Sequence, residues 1–213
     1  MSAKTNYTTN KEIDWFWRGQ SFTAPATLYY GLMTATKGLR GNSTAYSVND
    51  TIGLTANDGN LHVYMCTTAG TSASSQGSLY PGVKNEVITD GTAVFTEQYN
   101  NFKAASTGTT NEVSGGAYAR VGVTASLANF AGTQGSGTTT TSTGTSATTS
   151  NNSSITFPTP TANWGSIVGI GVWDAATSGN LLTWSLLTIP KTVNNGDPAP
   201  YFPAAAFTYQ EDN

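Results

Sequence analysis

Gly165-Ser166-Ile167-Val168-Gly169-Ile170-Gly171-Val172-Trp173 is followed by Asp174-Ala175-Ala176-Thr177-Ser178-Gly179-Asn180 and then by Leu181-Leu182-Thr183-Trp184-Ser185-Leu186. The first stretch reads as a strand with much apolar surface, the second as a turn, and the third as its hairpin partner. The same grammar repeats outward. Ser154-Ile155-Thr156-Phe157-Pro158 is a short strand stopped by proline. Lys191-Thr192-Val193 leads into the turn Asn194-Asn195-Gly196-Asp197, and Phe202 to Tyr209 reads as the closing strand. Near the start, Leu28, Tyr30 and Leu32 alternate with Thr27, Tyr29 and Gly31, so Pro25 to Thr36 reads as a strand. Tyr118 to Thr124 reads as another. Many short strands at even spacing, with Gly, Asn and Asp between them, predict an all-β chain whose body is a β-sandwich or jelly roll.

Residues 43–100 read as an inserted small antiparallel β-module, which leaves 1–42 and 101–213 as a discontinuous sandwich domain. In the module Leu61, Val63 and Met65 alternate with His62, Tyr64 and Cys66 behind the turn Asn57-Asp58-Gly59-Asn60. Val87-Ile88, the turn Asp90-Gly91 and the strand Thr92 to Thr96 continue the pattern.

Thr9-Asn10-Lys11-Glu12 fits a capping box, with Ile13, Phe16 and Trp17 following at helical spacing and Gly19 placed to end the helix. Asp14 and Trp15 fall on its other faces. Such a helix either plugs its own core or docks on a neighbouring chain; in the second case Ile13, Trp15, Phe16 and Trp17 are the interface. Residues 131–154 form a low-complexity tract of mostly Thr, Ser, Gly and Asn with neither charge nor a large apolar side chain. Such a tract buries too little to offset its ordering entropy, so it reads as a mobile loop unless a neighbour holds it.

Only 10% of the 213 residues are charged, against about 25% in an ordinary soluble domain. Small polar residues fill the gap, and they desolvate at less cost than ions do. A net charge of −3 leaves no basic footprint for nucleic acid. The N-terminus does not read as a signal peptide, and no apolar run approaches the roughly 20 residues that span a bilayer. The chemistry of a catalytic site is also missing. The lone His62 reads as an exposed strand residue, and the lone Cys66 as a buried thiol. Together they cannot hold zinc. Asp58, Asp90, Asp174 and Asp197 each fall in a turn, where Asp caps its own backbone. No cofactor is expected. If the chain did act on a sugar, Asp174 with Trp173 and Trp184 would be the first candidates. The closing Glu211-Asp212-Asn213 reads as a solvated acidic end.

Two sets of motifs resemble known patterns. Ala24-Pro25-Ala26-Thr27-Leu28-Tyr29-Tyr30-Gly31-Leu32, then Asn111-Glu112-Val113-Ser114-Gly115-Gly116-Ala117-Tyr118-Ala119-Arg120, then Ala162-Asn163-Trp164-Gly165 and Pro190-Lys191-Thr192-Val193 resemble a family of small tailed-phage and prophage virion proteins, often labelled phage tail fibre protein. The likeness covers roughly 10–40 and 110–209. Between them, Tyr64-Met65-Cys66-Thr67-Thr68-Ala69-Gly70-Thr71-Ser72 and Thr89-Asp90-Gly91-Thr92-Ala93-Val94-Phe95 resemble a small β-module of phage structural proteins, with Phe95 where Trp is usual.

The resemblance implies a virion component without catalysis. The expected role is a capsid-decorating (cement) protein, a dimer or trimer seated on the major capsid protein or other virion proteins. The alternatives are a tail-fibre or baseplate protein contacting the host, or a β-sandwich that binds a host-surface glycan. Neither nucleic acid nor membrane is an expected partner.

Overall fold

The computed structural model describes residues 2–99, 102 and 111–211; the expected domain boundary at 100/101 and the end residues Asp212 and Asn213 lie outside them. In chain order the elements are β1 (Ser2–Lys4), α1 (Asn6–Arg18), β2 (Thr27–Ala35), β3 (Ala45–Tyr46), β4 (Thr51–Thr55), β5 (Leu61–Thr68), β6 (Gly70–Thr71), β7 (Val87–Asp90) and β8 (Ala93–Glu97). Then follow β9 (Val121–Thr124), β10 (Thr148–Ser150), β11 (Ile155–Thr156), β12 (Gly165–Trp173), β13 (Leu181–Val193), β14 (Tyr201–Phe202) and β15 (Thr208–Gln210). The described residues are thus mostly antiparallel sheet with a short N-terminal helix, as the sequence pattern predicts.

The hairpin β12–β13 forms as expected and sits inside a five-stranded sheet of order β1-β13-β12-β2-β9. β12 is buried continuously from Ile167 to Trp173. A sheet with one wet face would alternate instead. The reason is that both faces are covered. On one face Tyr30, Leu32, Ile167, Ile170 and Val172 meet Val113, Ile155, Phe157, Trp164 and Val193. This second layer includes two short ribbons, β10–β15 and β11–β14. On the other face Met33, Ala35, Val168, Trp173, Leu181 and Trp184 meet Leu61, Val63 and Phe102. A register shift between Ile167 and Gly169 makes the double use possible: it lets Ile167 and Ile170, three apart, share a face while Val168 turns to the opposite one.

The inserted strands therefore close the body's second face. They also have a core of their own, in which Tyr46, Ile52, Leu54, Tyr64, Cys66, Tyr80 and Phe95 pack around the four-stranded sheet β4-β5-β8-β7. The two parts are stitched before residue 43. Leu39 bridges Gly53, and Arg40 Nε donates to Asp90 at 2.7 Å with both side chains buried. The same carboxylate accepts from Tyr80 Oη at 2.7 Å and from the Ala73 N–H at 2.8 Å. Asp90 is thus an internal counter-ion, contrary to the reading of it as a self-capping turn residue. Burial pushes its carboxyl pKa up, but the bonds from Arg40, Ala73 and Tyr80 outweigh this and hold it below the ordinary value.

The expected last strand, Phe202 to Tyr209, is instead two short strands separated by a turn in which Ala205 takes a positive φ. The 131–154 tract is not left to a neighbour. Gln134 Nε2 donates to Thr140 Oγ1 at 2.9 Å and to the Thr141 carbonyl at 3.2 Å, and its Oε1 accepts from the Thr143 N–H. Asn152 Nδ2 donates to the carbonyls of Thr138 and Ala128, and β10 pairs with β15.

Candidate functional site

α1 is fastened at one end only. β1 pairs antiparallel with β13, from Ser2 opposite Ser185 to Lys4 opposite Thr183. Thr5, fully buried, donates its hydroxyl to the Leu181 carbonyl at 2.6 Å, and its N–H goes to Leu182. Thr8 donates its hydroxyl to the Leu182 carbonyl at 2.7 Å. Lys4 Nζ lies between Glu12 at 2.8 Å and Glu211 at 2.7 Å. Burial lowers the Lys4 pKa, but the two carboxylates prevail and raise it. Glu211 is accordingly an anchor rather than part of a merely solvated end.

These contacts move the start of the helix. Thr5 is the N-cap, accepting from the Thr8 N–H, and Thr9 lies one turn inside, its hydroxyl donating to the Thr5 carbonyl. The expected box from Thr9 to Glu12 does not form, because Thr5 is already held against β13 and Glu12 is drawn to Lys4. The end falls where the sequence puts it: Gly19 adopts φ 66° and its N–H reaches the Asp14 carbonyl.

Past Glu12 the helix stays exposed among the described residues. No residue of α1 is buried. Ile13 is 45% exposed, Trp15 55%, Phe16 68% and Trp17 78%. Among the described aromatics the three rings touch only one another, Trp15 to Phe16 at 6.0 Å and Phe16 to Trp17 at 5.2 Å between centroids. A 13-residue helix is marginal in water by itself, and large aromatics bury about 150–250 Å² each when they find a partner. The helix therefore does not plug its own core. All four residues named from the sequence share one arm that leaves the body.

The residues that might carry chemistry are spent on structure. His62 is not an exposed strand residue: Nδ1 lies 3.3 Å from Glu97 Oε1 and Nε2 lies 3.1 Å from Asp58 Oδ2. The hydrogen bond with Glu97, set against burial and helped by Asp58, raises its pKa. Burial raises the Asp58 pKa, yet bonds from Asn60 and His62 bring it down to about 2. Asp174 accepts from the Asn180 N–H at 2.6 Å, and Asp197 from the Asn194 N–H at 2.8 Å, so both are turn caps. Cys66 is buried, and burial pushes its thiol pKa up. Trp173 and Trp184 are buried at 1% and 5% exposure, which removes them as a sugar platform beside Asp174. Among the described residues, no group of three or more His, Cys, Asp or Glu could hold a metal ion, and no helix is long and apolar enough to cross a membrane.

One arrangement has no signal in side-chain spacing. Glu112 takes both Arg120 Nε and Nη2, at 2.8 and 2.7 Å, and the Tyr118 hydroxyl at 2.9 Å. Tyr118 Oη in turn accepts the Leu32 N–H at the edge of β2. Arg120 stacks on Trp173, 4.1 Å from its centroid. That indole lies across the paired glycines Gly31 and Gly171, where a Cβ would come within 2.7 and 2.4 Å of it. The motif from Glu112 to Arg120 is thus a clamp that seals a sheet edge and seats a core tryptophan.

No curated protein matches the chain closely enough to add a relative. The family model described as Podophage GP4 fiber I protein gp80 matches residues 3–81 and 83–210, which takes in the arm, the sheets and the clamp alike. The chain belongs to this family of phage fiber proteins, and it is a non-enzymatic structural component of the virion.

Proposed function

We propose that the chain is a tail-fibre component that attaches to its neighbours in the particle through α1, with the 43–100 module turned toward the host. The observation that carries this reading is the exposure of Ile13, Trp15, Phe16 and Trp17 on a helix that is tied to the body at Thr5, Thr8 and Glu12, all before the aromatic run. Aromatic clusters of this kind are typical anchors of protein interfaces. The family description names a fiber and so favours the tail over capsid decoration. A glycan-binding role has no comparable support, since the tryptophans that would carry it are in the core.

Quantitative mass spectrometry of purified particles tests the location, together with immunogold labelling. Tens of copies or fewer, with label on the tail, is the expected result. Hundreds of copies, with label on the head, would return the protein to the capsid-decorating role.

A further inference from the structure

Beside the root of the arm is a cavity of about 310 Å³. Its walls include Leu28, Tyr30, Phe130, Val172, Leu182 and Phe207, and Lys4, Glu12 and Glu211 also line it. It is a gap between the five-stranded sheet and the ribbon β10–β15. We propose that the tip of α1, Trp15 to Arg18, seats in this cavity on a second copy of the chain, so that copies join head to tail. This rests on the reading of α1 as an assembly surface and names its partner.

Size, charge and topology agree on that occupant. An apolar cavity of about 150 Å³ takes a benzene ring, so one twice that size admits Phe16 or an indole. Lys4 carries one positive charge against the two carboxylates that flank it, which leaves surplus negative charge. Arg18 follows the aromatic run directly. Among the described residues its guanidinium is held only by Asp14, an exposed pair one helical turn away. Such a pair contributes little, so the guanidinium is free to turn to Glu12 or Glu211 of another copy.

The chain's own tip does not fill its own cavity. Thr8 and Glu12 line the cavity while Trp15, Phe16 and Trp17 stay exposed. Tip and cavity are different surfaces, so the contact is heterologous. It closes into a ring if the rotation allows and otherwise runs on as a filament. Each copy gives one tip and offers one cavity, and ring closure strengthens contacts that are small one at a time.

Sedimentation velocity over a range of concentrations tests the proposal on the full chain. The samples are the wild type, an arm variant (Phe16→Ser with Trp17→Ser), and two separate cavity-filling variants, Leu28→Trp and Leu182→Phe, each checked for folding by circular dichroism. The wild type should associate, and every variant should associate at least about tenfold more weakly. An equimolar mixture of arm variant and filled variant should recover a heterodimer and nothing larger, because one brings an intact cavity and the other an intact tip. A monomeric wild type overturns the proposal. So do folded filled variants that associate like wild type, and so does native mass spectrometry showing a small apolar molecule in the cavity. Incorporation into particles separates the two levels. If the arm variant enters virions normally, the assembly-surface reading fails. If it is excluded while the filled variants enter, only the arm-into-cavity contact fails.

Discussion

The arm and the 131–154 tract invert the usual link between apolar content and order. The arm carries three consecutive aromatics and leaves them in solvent. The tract has no such side chain, yet it is braced internally by Gln134 and tied to the body by Asn151, Asn152 and the ribbon β10–β15. Hydrophobic burial needs a facing surface, and the described residues supply none for Trp15 to Trp17. A polar loop needs only donors and acceptors within reach, and amide side chains have two of each kind. Polar contacts thus order the tract, while the apolar surface of the arm stays exposed.

Four expected outcomes break or sharpen this contrast. The largest concerns the most buried polar contact. Asp90→Asn leaves Arg40 without its charge partner inside the module, and should cost about 3–5 kcal/mol in chemical denaturation. A loss under 1 kcal/mol would mean that the module does not depend on that pair.

Next is Asn151. Its amide nitrogen donates to the carbonyls of Ser153 and Pro203, and its oxygen accepts from the Phe207 N–H, all while 1% exposed. Asn151→Ala should cost about 2–3 kcal/mol, and amide hydrogen exchange should quicken across 131–152. Unchanged exchange would show that the tract is held by something else.

A smaller effect follows pH. The folded pKa of His62 is raised above its ordinary 6.5 by Glu97 and Asp58. Its contribution to stability is therefore complete below about pH 6.5, the unfolded value. It is lost as the pH rises through the folded value. Thermal melts should show this decline in the wild type and lack it in His62→Gln; equal slopes would remove His62 as the cause.

The smallest expected effect is on the arm. Replacing Trp15, Phe16 and Trp17 together by Ser should change the melting of the isolated chain by no more than surface substitutions do, about 0.5 kcal/mol. The same triple variant should be lost from virions. A large drop in stability would place those rings against the chain's own body.

Much of the fold was legible because strands and turns are local signals. The run from Gly165 to Trp173 forms a strand with those bounds, and the turns at Gly59, Gly91 and Gly196 all take positive φ. β4 escaped notice: Thr51–Thr55 alternates only through Ile52 and Leu54 and is just five residues long, and all but its last residue are buried. The helix was legible in its end and wrong in its start, since the N-cap is set by the β13 carbonyls, more than 170 residues away in the chain. Ile13, Trp15, Phe16 and Trp17 were legible as an unusual apolar load, but whether they faced inward or outward was not.

The sequence by itself determined that this is an all-β chain with one aromatic helix, low in charge and without a catalytic constellation. Period, turn chemistry and composition are written into short stretches, so no distant contact is needed to read them. Only the tertiary structure decided that the inserted strands cover the second face of the body sheet, that Asp90 is a buried counter-ion and that the aromatic helix stands clear beside an open cavity. Each of these depends on which residues far apart in the chain come to face one another, and that is set by the packing of the whole molecule.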